Sequence, residues 1–269
     1  MRFGILGEHL PHTLSPELHS ELFRLQGMDA SYDILERSRE EVGGILNEMK
    51  EKGITGINVT IPYKETLYKM VDVLDSHAKE IGAINTVHLK DGVTYGYNTD
   101  FVGTASMLKK AGVTVRGKKA VILGSGGASR AVIYALYTEG ASDITIAARN
   151  EAAKAQLKQQ FPYIHTCTLD DPLSGDILVN TTPVGMYPKT GISPVPTCVF
   201  KNFSVAADIV YNPLKTEFLL QAEKAGLATV TGLMMLVDQA VAAEEIWLGK
   251  PLDYAMGDKV HDKLKERFL

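Results

Sequence analysis

A glycine-rich turn follows a short apolar run in the middle of the chain. The run 120–123 predicts a strand, and residues 128–136 carry the spacing of a helix. One glycine allows a sharp turn after the strand, and a second lets the backbone approach a ligand closely. The N–H groups at the start of the helix can then face a pyrophosphate. The residues of this predicted dinucleotide site are Gly124, Ser125, Gly126, Gly127 and Ala128.

The residues after the next predicted strand, 144–148, indicate which dinucleotide the turn binds. They lie at the distance from the glycines where nucleotide-binding folds place the group that contacts the ribose. An NAD site has an acidic residue there, whereas this chain has Arg149, with Lys154 nearby. Positive charge suits a 2′-phosphate and so favours NADP(H). The alternative is that Arg149 is a solvated residue at a strand end, and that the glycine turn binds no nucleotide.

A lysine that could take part in a reaction lies in the N-terminal half. The alternating stretch 57–61 predicts a strand with one polar face, and Pro62 ends it. Residues 63–71 are predicted to be helical, which puts Lys64 in or near the first helical turn. The positive end of the helix macrodipole repels a cation there. Lys64 therefore either has a chemical role or is simply an exposed residue at a helix start.

An aspartate follows a second polar stretch. Two short strands are predicted around the turn 90–92, followed by a helix that Thr99 or Asp100 caps. Because a helix N-terminus keeps a carboxylate ionised, Asp100 can be a cap and nothing more. Its neighbours Asn85, Asn98 and Thr99 gather several polar groups at strand ends, which favours a role in a site.

The N-terminal part is predicted to alternate strands with helices. Residues 3–6 and 32–35 are predicted strands, and residues 42–49 have the spacing of an amphipathic helix. We expect the first helix to begin with Ser15 as its N-cap and Pro16 at its first position.

After a junction at 112–118, strands and helices alternate repeatedly, which is typical of a doubly wound parallel sheet. Ligands of such sheets bind at the carboxyl ends of the strands. Polar turns that begin at Asn180 and Asp208 stand at such ends, although ordinary proline-containing turns have the same composition. The predicted strands are 120–123, 144–148, 163–168, 176–180, 204–210 and 228–231.

Two helices are predicted near the C-terminus. The helix within 232–249 has an apolar stripe with Gln239 on its edge. Met234 and Met235 lie beside this stripe, where methionines fill a core more often than they contact a cofactor. The last helix, 259–269, is highly charged and is expected to be solvated.

Composition limits the possible partners and the compartment. The chain has 269 residues, 45% of them hydrophobic, and a net charge of -4, which argues against nucleic acid or an anionic membrane as a partner. Cys167 and Cys198 form no CxxC pair and fit free thiols in the cytoplasm. Neither a signal peptide nor a membrane-spanning apolar run is visible. Monomer and homodimer both remain open.

The histidines do not have the spacing of metal ligands. His9, His12 and His19 are close in sequence, but they form no HxH or HExxH pattern. We therefore expect no metal. The chain also lacks GxSxG and an evident Cys–His pair, so covalent hydrolase chemistry is not supported.

Taken together, these residues resemble the shikimate dehydrogenase family, NADP-dependent oxidoreductases of chorismate and aromatic amino-acid biosynthesis. The resemblance runs from the first strand to about residue 249. Its motifs are HTLSP at 12–16, NVTIPYK at 58–64, GAINT at 82–86, GYNTD at 96–100, GSGGASRA at 124–131, DIVYNP at 208–213 and GLMMLVDQA at 232–240.

The resemblance implies two α/β domains with a cleft between them and a reversible reduction of 3-dehydroshikimate to shikimate. Residues 1–101 and 237–269 would form the substrate domain, and 102–236 a Rossmann-like NADP-binding domain. Lys64 and Asp100 would be the catalytic pair. The implied substrate-binding residues are Thr13, Ser15, Thr60, Asn85, Tyr211 and Gln239. The cofactor-binding residues beyond the glycine turn would be Arg149, Asn150, Lys154, Thr181, Ile209 and Gly232.

The chain departs from the family pattern at two places. The family often has serine where Thr13 stands, and its Asn-Arg-Thr is Ala148, Arg149 and Asn150 here. A related enzyme that prefers quinate or NAD is therefore the nearest alternative. A non-catalytic NADP(H) sensor and a methylene-tetrahydrofolate dehydrogenase are the others, but the latter needs a pterin-sized pocket, whereas these polar residues suit a small polyol acid.

Overall fold

The computed structural model describes residues 1–268, which divide into two compact units. The first unit comprises Met1–Thr99 and Val237–Leu264, and the second comprises Asp100–Leu236 with the described residues after Leu264. Each unit contains one sheet with helices, so the predicted two-domain α/β class is confirmed. Leu269, which the sequence assigned to the last helix and to the substrate domain, lies outside the described residues.

Twelve strands and ten α-helices follow one another along residues 1–268. The strands are β1 (Arg2–Gly7), β2 (Ser31–Glu36), β3 (Gly56–Val59), β4 (Val73–Leu74), β5 (Thr86–Lys90), β6 (Val93–Tyr97), β7 (Lys119–Leu123), β8 (Asp143–Ala147), β9 (His165–Cys167), β10 (Ile177–Asn180), β11 (Val205–Asp208) and β12 (Ala228–Val230). The helices are α1 (Ser15–Gln26), α2 (Ile45–Lys52), α3 (Lys64–Tyr68), α4 (Ser76–Ile81), α5 (Asp100–Lys110), α6 (Gly127–Thr138), α7 (Glu151–Gln160), α8 (Glu217–Lys224), α9 (Leu233–Leu248) and α10 (Ala255–Lys265).

The sheet of the first unit is mixed, with strand order β2-β1-β3-β5-β6-β4. β1 pairs in parallel with β2 and β3, whereas β5 is antiparallel to both β3 and β6. β5 and β6 form the predicted hairpin, whose turn residues Asp91 and Gly92 have φ of 51° and 78°. Positive φ at both positions is the geometry that suits a two-residue hairpin turn.

Helix α9 packs on this sheet through Trp247. The Trp247 ring stacks on Phe3 at 4.7 Å, and its Nε1 donates to the carbonyl of Val87 at 3.0 Å. A side chain at position 56 would overlap this ring, so only glycine fits at this position. The same helix contacts α1 through a buried pair, in which His19 Nδ1 lies 2.7 Å from a carboxylate oxygen of Glu244.

The sheet of the second unit is entirely parallel, with strand order β12-β11-β10-β7-β8-β9. All six strands predicted in this half are confirmed, with ends that shift by one or two residues. Apolar clusters cover both faces of the sheet, and Met235 packs into one of them, as predicted. The chain reverses its direction of winding between β7 and β10, where such sheets bind their ligands.

Predictions for a strand, a helix and a domain junction need correction. The strand predicted for 57–61 is Gly56–Val59, and its polar residue Asn58 is buried and hydrogen-bonded. The helix predicted for 63–71 ends at Tyr68. The junction predicted at 112–118 is also wrong, because α5 packs against α6 and the second unit therefore begins at Asp100.

Within residues 1–268, none of the helices has the length and apolar character needed to cross a membrane.

Candidate active site

Asn85 and Gln239 meet in a hydrogen-bonded cluster of the first unit. Asn85 is 2% exposed, and its Nδ2 donates to Gln239 Oε1 at 3.2 Å and to Thr99 Oγ1 at 2.9 Å. Its Oδ1 accepts from the Thr99 N–H at 2.7 Å and from Thr86 Oγ1 at 3.0 Å. Four bonds use the full hydrogen-bonding capacity of an amide. A ligand hydroxyl that binds Asn85 therefore has to replace one of these partners.

Lys64 is the first residue of α3 and is half-buried. Its predicted position, in the first turn of a helix after a strand, is confirmed. The Lys64 carbonyl accepts from the N–H of Ile84 at 3.1 Å. Because residue 84 directly precedes Asn85, the turn that carries the lysine is hydrogen-bonded to the segment that carries the amide cluster.

Thr13 and Ser15 lie together where α1 begins. The Thr13 hydroxyl accepts from the Ser15 N–H at 3.3 Å and donates to Ser15 Oγ at 3.2 Å. The prediction that Ser15 is the N-cap is wrong: Leu14 occupies that position, without a side-chain cap, and Ser15 is already helical. Thr13 binds the Ser15 N–H, a local side-chain bond of the kind that competes with regular capping.

Thr60 shapes the turn between β3 and α3. Its N–H donates to the carbonyl of Leu6 at 2.9 Å, and its carbonyl accepts from the N–H of Tyr63 at 2.9 Å. The Thr60 side chain also leaves little space for a side chain at position 7, since a Cβ added at Gly7 would lie 3.0 Å from Thr60 Cγ2. The turn therefore holds Thr60 at the end of the parallel pair β1 and β3.

Sequence reasoning did not single out Tyr32 and Asn58, which extend the cluster. The Tyr32 hydroxyl donates to Asn58 Oδ1 at 2.6 Å, and Asn58 Nδ2 donates to Thr86 Oγ1 at 3.3 Å. Burial raises the pKa of Tyr32 well above its usual value, helped by the charge of Glu244. The available signal was a lone asparagine in a strand of otherwise apolar residues.

The glycine turn of the second unit is tight on one side and open on the other. Gly124 has φ of 106°, and a Cβ there would lie 3.0 Å from Thr181 Oγ1, so both conformation and space require glycine. By contrast, a Cβ at Gly126 or Gly127 would meet no protein atom within 4 Å. This leaves room for a phosphate at the N-terminus of α6. Ser129 stands where the G-x-G-x-x-G pattern of dinucleotide sites has its third glycine, and it is fully buried.

The predicted phosphate-contacting residues differ in exposure. Arg149 is exposed just beyond Ala148, the residue that follows β8, and Asn150 caps α7 by accepting an N–H of its first turn at 3.0 Å. Lys154 is 5% exposed, and its Nζ donates to the carbonyl of Cys167 at 3.1 Å and pairs with Glu151 at 2.7 Å. Arg149 is therefore the exposed cation of this set, whereas the Lys154 ammonium binds groups of its own unit.

A buried carboxylate joins the two polar turns that follow β10 and β11. Asp208 is 0% exposed and accepts from Asn180 Nδ2 and from the Val210 N–H, both at 3.0 Å. Its other oxygen accepts from Thr216 Oγ1 at 2.6 Å. Burial raises the pKa of Asp208 to about 6, although these three donors favour the charged form.

The remaining cofactor residues predicted for the second unit lie at the carboxyl edge of its sheet. The N–H and hydroxyl of Thr181 both donate to the carbonyl of Leu123, at 3.0 and 2.8 Å. The Ile209 N–H donates to the carbonyl of Asn180 at 3.1 Å. A side chain at Gly232 would overlap the carbonyl of Ile209, so glycine is required there.

Asp100 and Tyr211 belong to the second unit, whereas the other predicted substrate-binding and catalytic residues belong to the first. Asp100 is the first residue of α5 and is 7% exposed, and its carbonyl accepts from Thr104 Oγ1 at 2.9 Å. Burial raises the pKa of Tyr211. Ser125 and Ala128, in the glycine turn, are half-buried.

Across residues 1–268, His, Cys, Asp and Glu side chains form no group of three that could hold a metal ion.

Comparison with known proteins places the chain in one family. Residues 5–87 match the family model for the shikimate dehydrogenase substrate binding domain, and residues 106–180 match that for shikimate / quinate 5-dehydrogenase. The NADP(+)-dependent shikimate dehydrogenase of Clostridium perfringens is 41% identical over 268 residues, which cover 99% of each chain. The chain belongs to the shikimate dehydrogenase family.

Solved structures of similar fold include members with bound ligands. One is the crystal structure of shikimate 5-dehydrogenase from Thermus thermophilus in complex with NADP(H) and shikimate. It has a TM-score of 0.89 and 33% sequence identity to the present chain, and the match covers 98% of the present chain and 99% of the Thermus chain. The ligand-free 5-ketofructose reductase of a Gluconobacter species has a TM-score of 0.87 and 29% identity, with 98% of each chain covered. The same fold therefore occurs both in a shikimate 5-dehydrogenase and in a 5-ketofructose reductase.

Proposed function

We propose that this chain catalyses the reversible NADPH-dependent reduction of 3-dehydroshikimate to shikimate. The observation that carries the proposal is the match along nearly the whole chain to the Thermus thermophilus enzyme, whose structure contains NADP(H) and shikimate. The first unit supplies a cluster of amides and hydroxyls, which suits a polyhydroxylated acid. The second unit supplies a glycine turn open at a helix N-terminus, which suits a pyrophosphate.

The proposed substrate domain is the first unit, in which Asn85, Thr60 and Gln239 bind ring hydroxyls. The hydroxyl pair of Thr13 and Ser15 is proposed to bind the carboxylate, and Tyr211 of the second unit is proposed as a further substrate-binding residue. Neutral donors suit a carboxylate because hydrogen bonds to a charged acceptor are stronger than those between neutral groups. Asn85 already has a full set of partners, so its specificity comes from exchanging the Gln239 bond for one to the substrate.

Lys64 and Asp100 are proposed as the acid–base pair. NADPH supplies the hydride, and the carbonyl oxygen that gains negative charge receives its proton from the Lys64 ammonium. Asp100 is the proposed second member of the pair, and a carboxylate in that role favours the charged form of an amine. In the oxidation direction, neutral Lys64 takes the proton back from the hydroxyl. The products balance as shikimate and NADP+ for one hydride and one proton consumed.

For the proposed cofactor site, the glycine turn holds the pyrophosphate. Arg149 binds the 2′-phosphate, which is supported by its exposure next to the end of β8. Asn150 caps the start of α7, and the Lys154 ammonium binds the carbonyl of Cys167 at the end of β9. Thr181, Ile209 and Gly232 line the carboxyl edge of the sheet. Cys167 and Cys198 are free thiols, which supports a cytoplasmic location.

The test is an NADPH oxidation assay with 3-dehydroshikimate, run with the Lys64→Ala variant. We expect kcat to fall about 10²- to 10⁴-fold in the variant, because proton transfer by a positioned side chain contributes about that much. The KM and the NADPH dissociation constant should change little. The matched control is Lys69→Ala, which removes an exposed lysine from the same segment and should leave kcat unchanged. A Lys64→Ala enzyme with near-normal kcat would refute the assignment.

A second candidate is the reduction of a related polyhydroxylated ketone, or the oxidation of quinate. It is favoured by Thr13, which adds a methyl group beside the proposed carboxylate site, and by the similarity to 5-ketofructose reductase. Comparing kcat/KM for shikimate, quinate and 5-ketofructose, each with NADP(H) and NAD(H), separates these activities. A higher kcat/KM for one of the latter two substrates would replace the first proposal.

A further inference from the structure

The segment Ala83–Asn85 lies between two parts of the chain that carry the proposed acid–base pair. On one side, the Ile84 N–H donates to the carbonyl of Lys64 at 3.1 Å. On the other side, Asn85 Oδ1 accepts from the N–H of Thr99, the residue before Asp100, at 2.7 Å. The segment therefore contacts the Lys64 turn and the end of the strand that leads to Asp100.

A second bond to the same segment comes from Asn98. This residue is 4% exposed, and its Nδ2 donates to the carbonyl of Ala83 at 2.9 Å. Ala83 is itself fully buried, so water cannot readily replace the donor. Asn98 and Thr99 are thus each bound to the segment, Asn98 through its side chain and Thr99 through its backbone.

The bond from Asn98 acts where the sheet has already ended. The ladder between β5 and β6 finishes with the pair Thr86 and Tyr97, and the Asn85 N–H adds one further bond to the carbonyl of Tyr97 at 3.0 Å. The ladder does not extend to residues 98 and 99. The strand order therefore does not depend on Asn98, whereas the path of the chain beyond the sheet is held by this bond together with that from the Thr99 N–H to Asn85 Oδ1.

We propose that Asn98 is a positioning residue for the reaction, because its bond to Ala83 holds the peptide that leads into Asp100 against the turn that carries Lys64. The inference rests on the proposed function, in which these two residues form the acid–base pair. An error of about 1 Å in the placement of reacting groups can cost about 100-fold in rate. The buried bond from Asn98 is one of the bonds beyond the last strand pair that restrain such a displacement.

The first test compares kcat with KM in Asn98→Ala. We expect kcat to fall about 10- to 100-fold. The substrate KM should stay within about threefold, because Asn98 holds the exit of a strand rather than a ligand. The NADPH dissociation constant should not change. The control is Thr94→Val, which removes a buried hydroxyl from β6 that donates to Asp72 Oδ2 at 2.8 Å. This control should lower stability but keep kcat.

The second test is a double-mutant cycle with Asp100→Ala. If Asn98 acts by placing Asp100, adding Asn98→Ala to that background should lower kcat by less than about twofold, since coupled residues are not additive. Multiplication of the two single effects would overturn the inference and indicate a general structural role. This outcome leaves the Lys64 assignment standing, whereas near-normal kcat in Lys64→Ala would remove the proposed function itself.

A shape-preserving variant covers the case in which Asn98→Ala does not fold, as judged by lost NADPH binding. Asn98→Asp keeps the volume but, at alkaline pH, replaces the donor by an ionised oxygen that can only accept. We expect the same loss of kcat in this variant. A kcat within about threefold of the parent value would overturn the inference, because packing alone would then be sufficient.

Discussion

The two units position their predicted site residues by different means. In the first unit, side chains bind one another, as Asn85 binds Gln239 and Thr99. In the second unit, the predicted site residues act largely through their backbone, and positions such as Gly124 and Gly232 are defined by the absence of a side chain. The difference follows from the ligands proposed for each unit, a ring with several hydroxyls and a pyrophosphate that backbone N–H groups can bind.

This comparison predicts opposite sensitivities. Removing a side-chain amide or hydroxyl should impair substrate binding by the first unit, because a buried group that loses its partner keeps its desolvation cost. Adding atoms at the glycine turn should weaken ligand binding by the second unit, because the open space at this turn is where the ligand binds. Each unit should respond without affecting binding by the other.

Among the variants that test this comparison, Asn85→Ala is expected to have the largest effect. The change removes a proposed substrate contact and leaves the Thr99 N–H and the Thr86 hydroxyl without their partner. We expect kcat/KM for shikimate to fall about 10²- to 10³-fold, since a site built to bind a hydroxyl depends strongly on that bond. NADPH binding, measured by fluorescence titration, should stay within about twofold.

The matched control for this prediction is Asn202→Ala. It removes an amide that donates to the carbonyl of Leu173 at 2.9 Å, but at an exposed position of the second unit. It should leave kcat/KM unchanged. Equal losses in the two variants would show that the amide cluster has no special role in substrate binding.

An intermediate effect is expected from Asp208→Asn, because Asp208 is the place where the second unit does depend on a buried side chain. Its folded pKa of about 6 exceeds the ordinary value of 3.8, so between these pH values the folded state holds a proton that the unfolded state has released. This group therefore stabilises the fold most at acid pH, and the contribution is lost as pH rises through about 6.

The measurement is the free energy of unfolding of both proteins by urea denaturation across this range. Relative to the variant, the parent should lose about 2 to 3 kcal/mol between pH 4 and pH 6, from about 1.4 kcal/mol per pKa unit. Subtracting the variant removes the other titrating groups. Parallel curves for the two proteins would contradict the raised pKa.

The smallest effect is expected from Gly126→Ala. The added methyl group meets no protein atom within 4 Å, and φ of -82° is allowed for alanine. The free energy of unfolding should therefore stay within about 0.5 kcal/mol, while NADPH binds about tenfold more weakly because the methyl group occupies ligand space.

Gly124→Ala is the matched contrast for this prediction. Its φ of 106° and the close approach of Thr181 disfavour any side chain. Stability should fall by about 1 to 3 kcal/mol, in addition to any loss of NADPH binding. If Gly126→Ala binds NADPH normally, the ligand does not approach the turn at this position.

Much of the fold could be predicted because its signals are local. The six strands of the second unit follow from apolar runs between turn residues, and the hairpin at Asp91 and Gly92 follows from turn chemistry. One of the errors is also local in origin. Ser15 was predicted as an N-cap on residue type alone, but Thr13 competes for its N–H.

The candidate site was predicted less completely. The polar residues and their family motifs were visible in the sequence, but their mutual bonds were not. The alternating pattern of β3 predicted a polar face, but not that the Tyr32 hydroxyl would cover and bind Asn58. Which face of a strand is buried depends on what packs against it, and this information lies elsewhere in the chain.

The sequence by itself determined the types of the elements, the glycine turn and the location of Lys64 at a helix start, since periodicity and backbone conformation are properties of neighbouring residues. Only the tertiary structure decided that Asn85 meets Gln239 across 154 positions and that Asp208 holds Asn180. Such contacts form because a buried polar group must find a partner, and the folded chain, not the local sequence, brings that partner within reach.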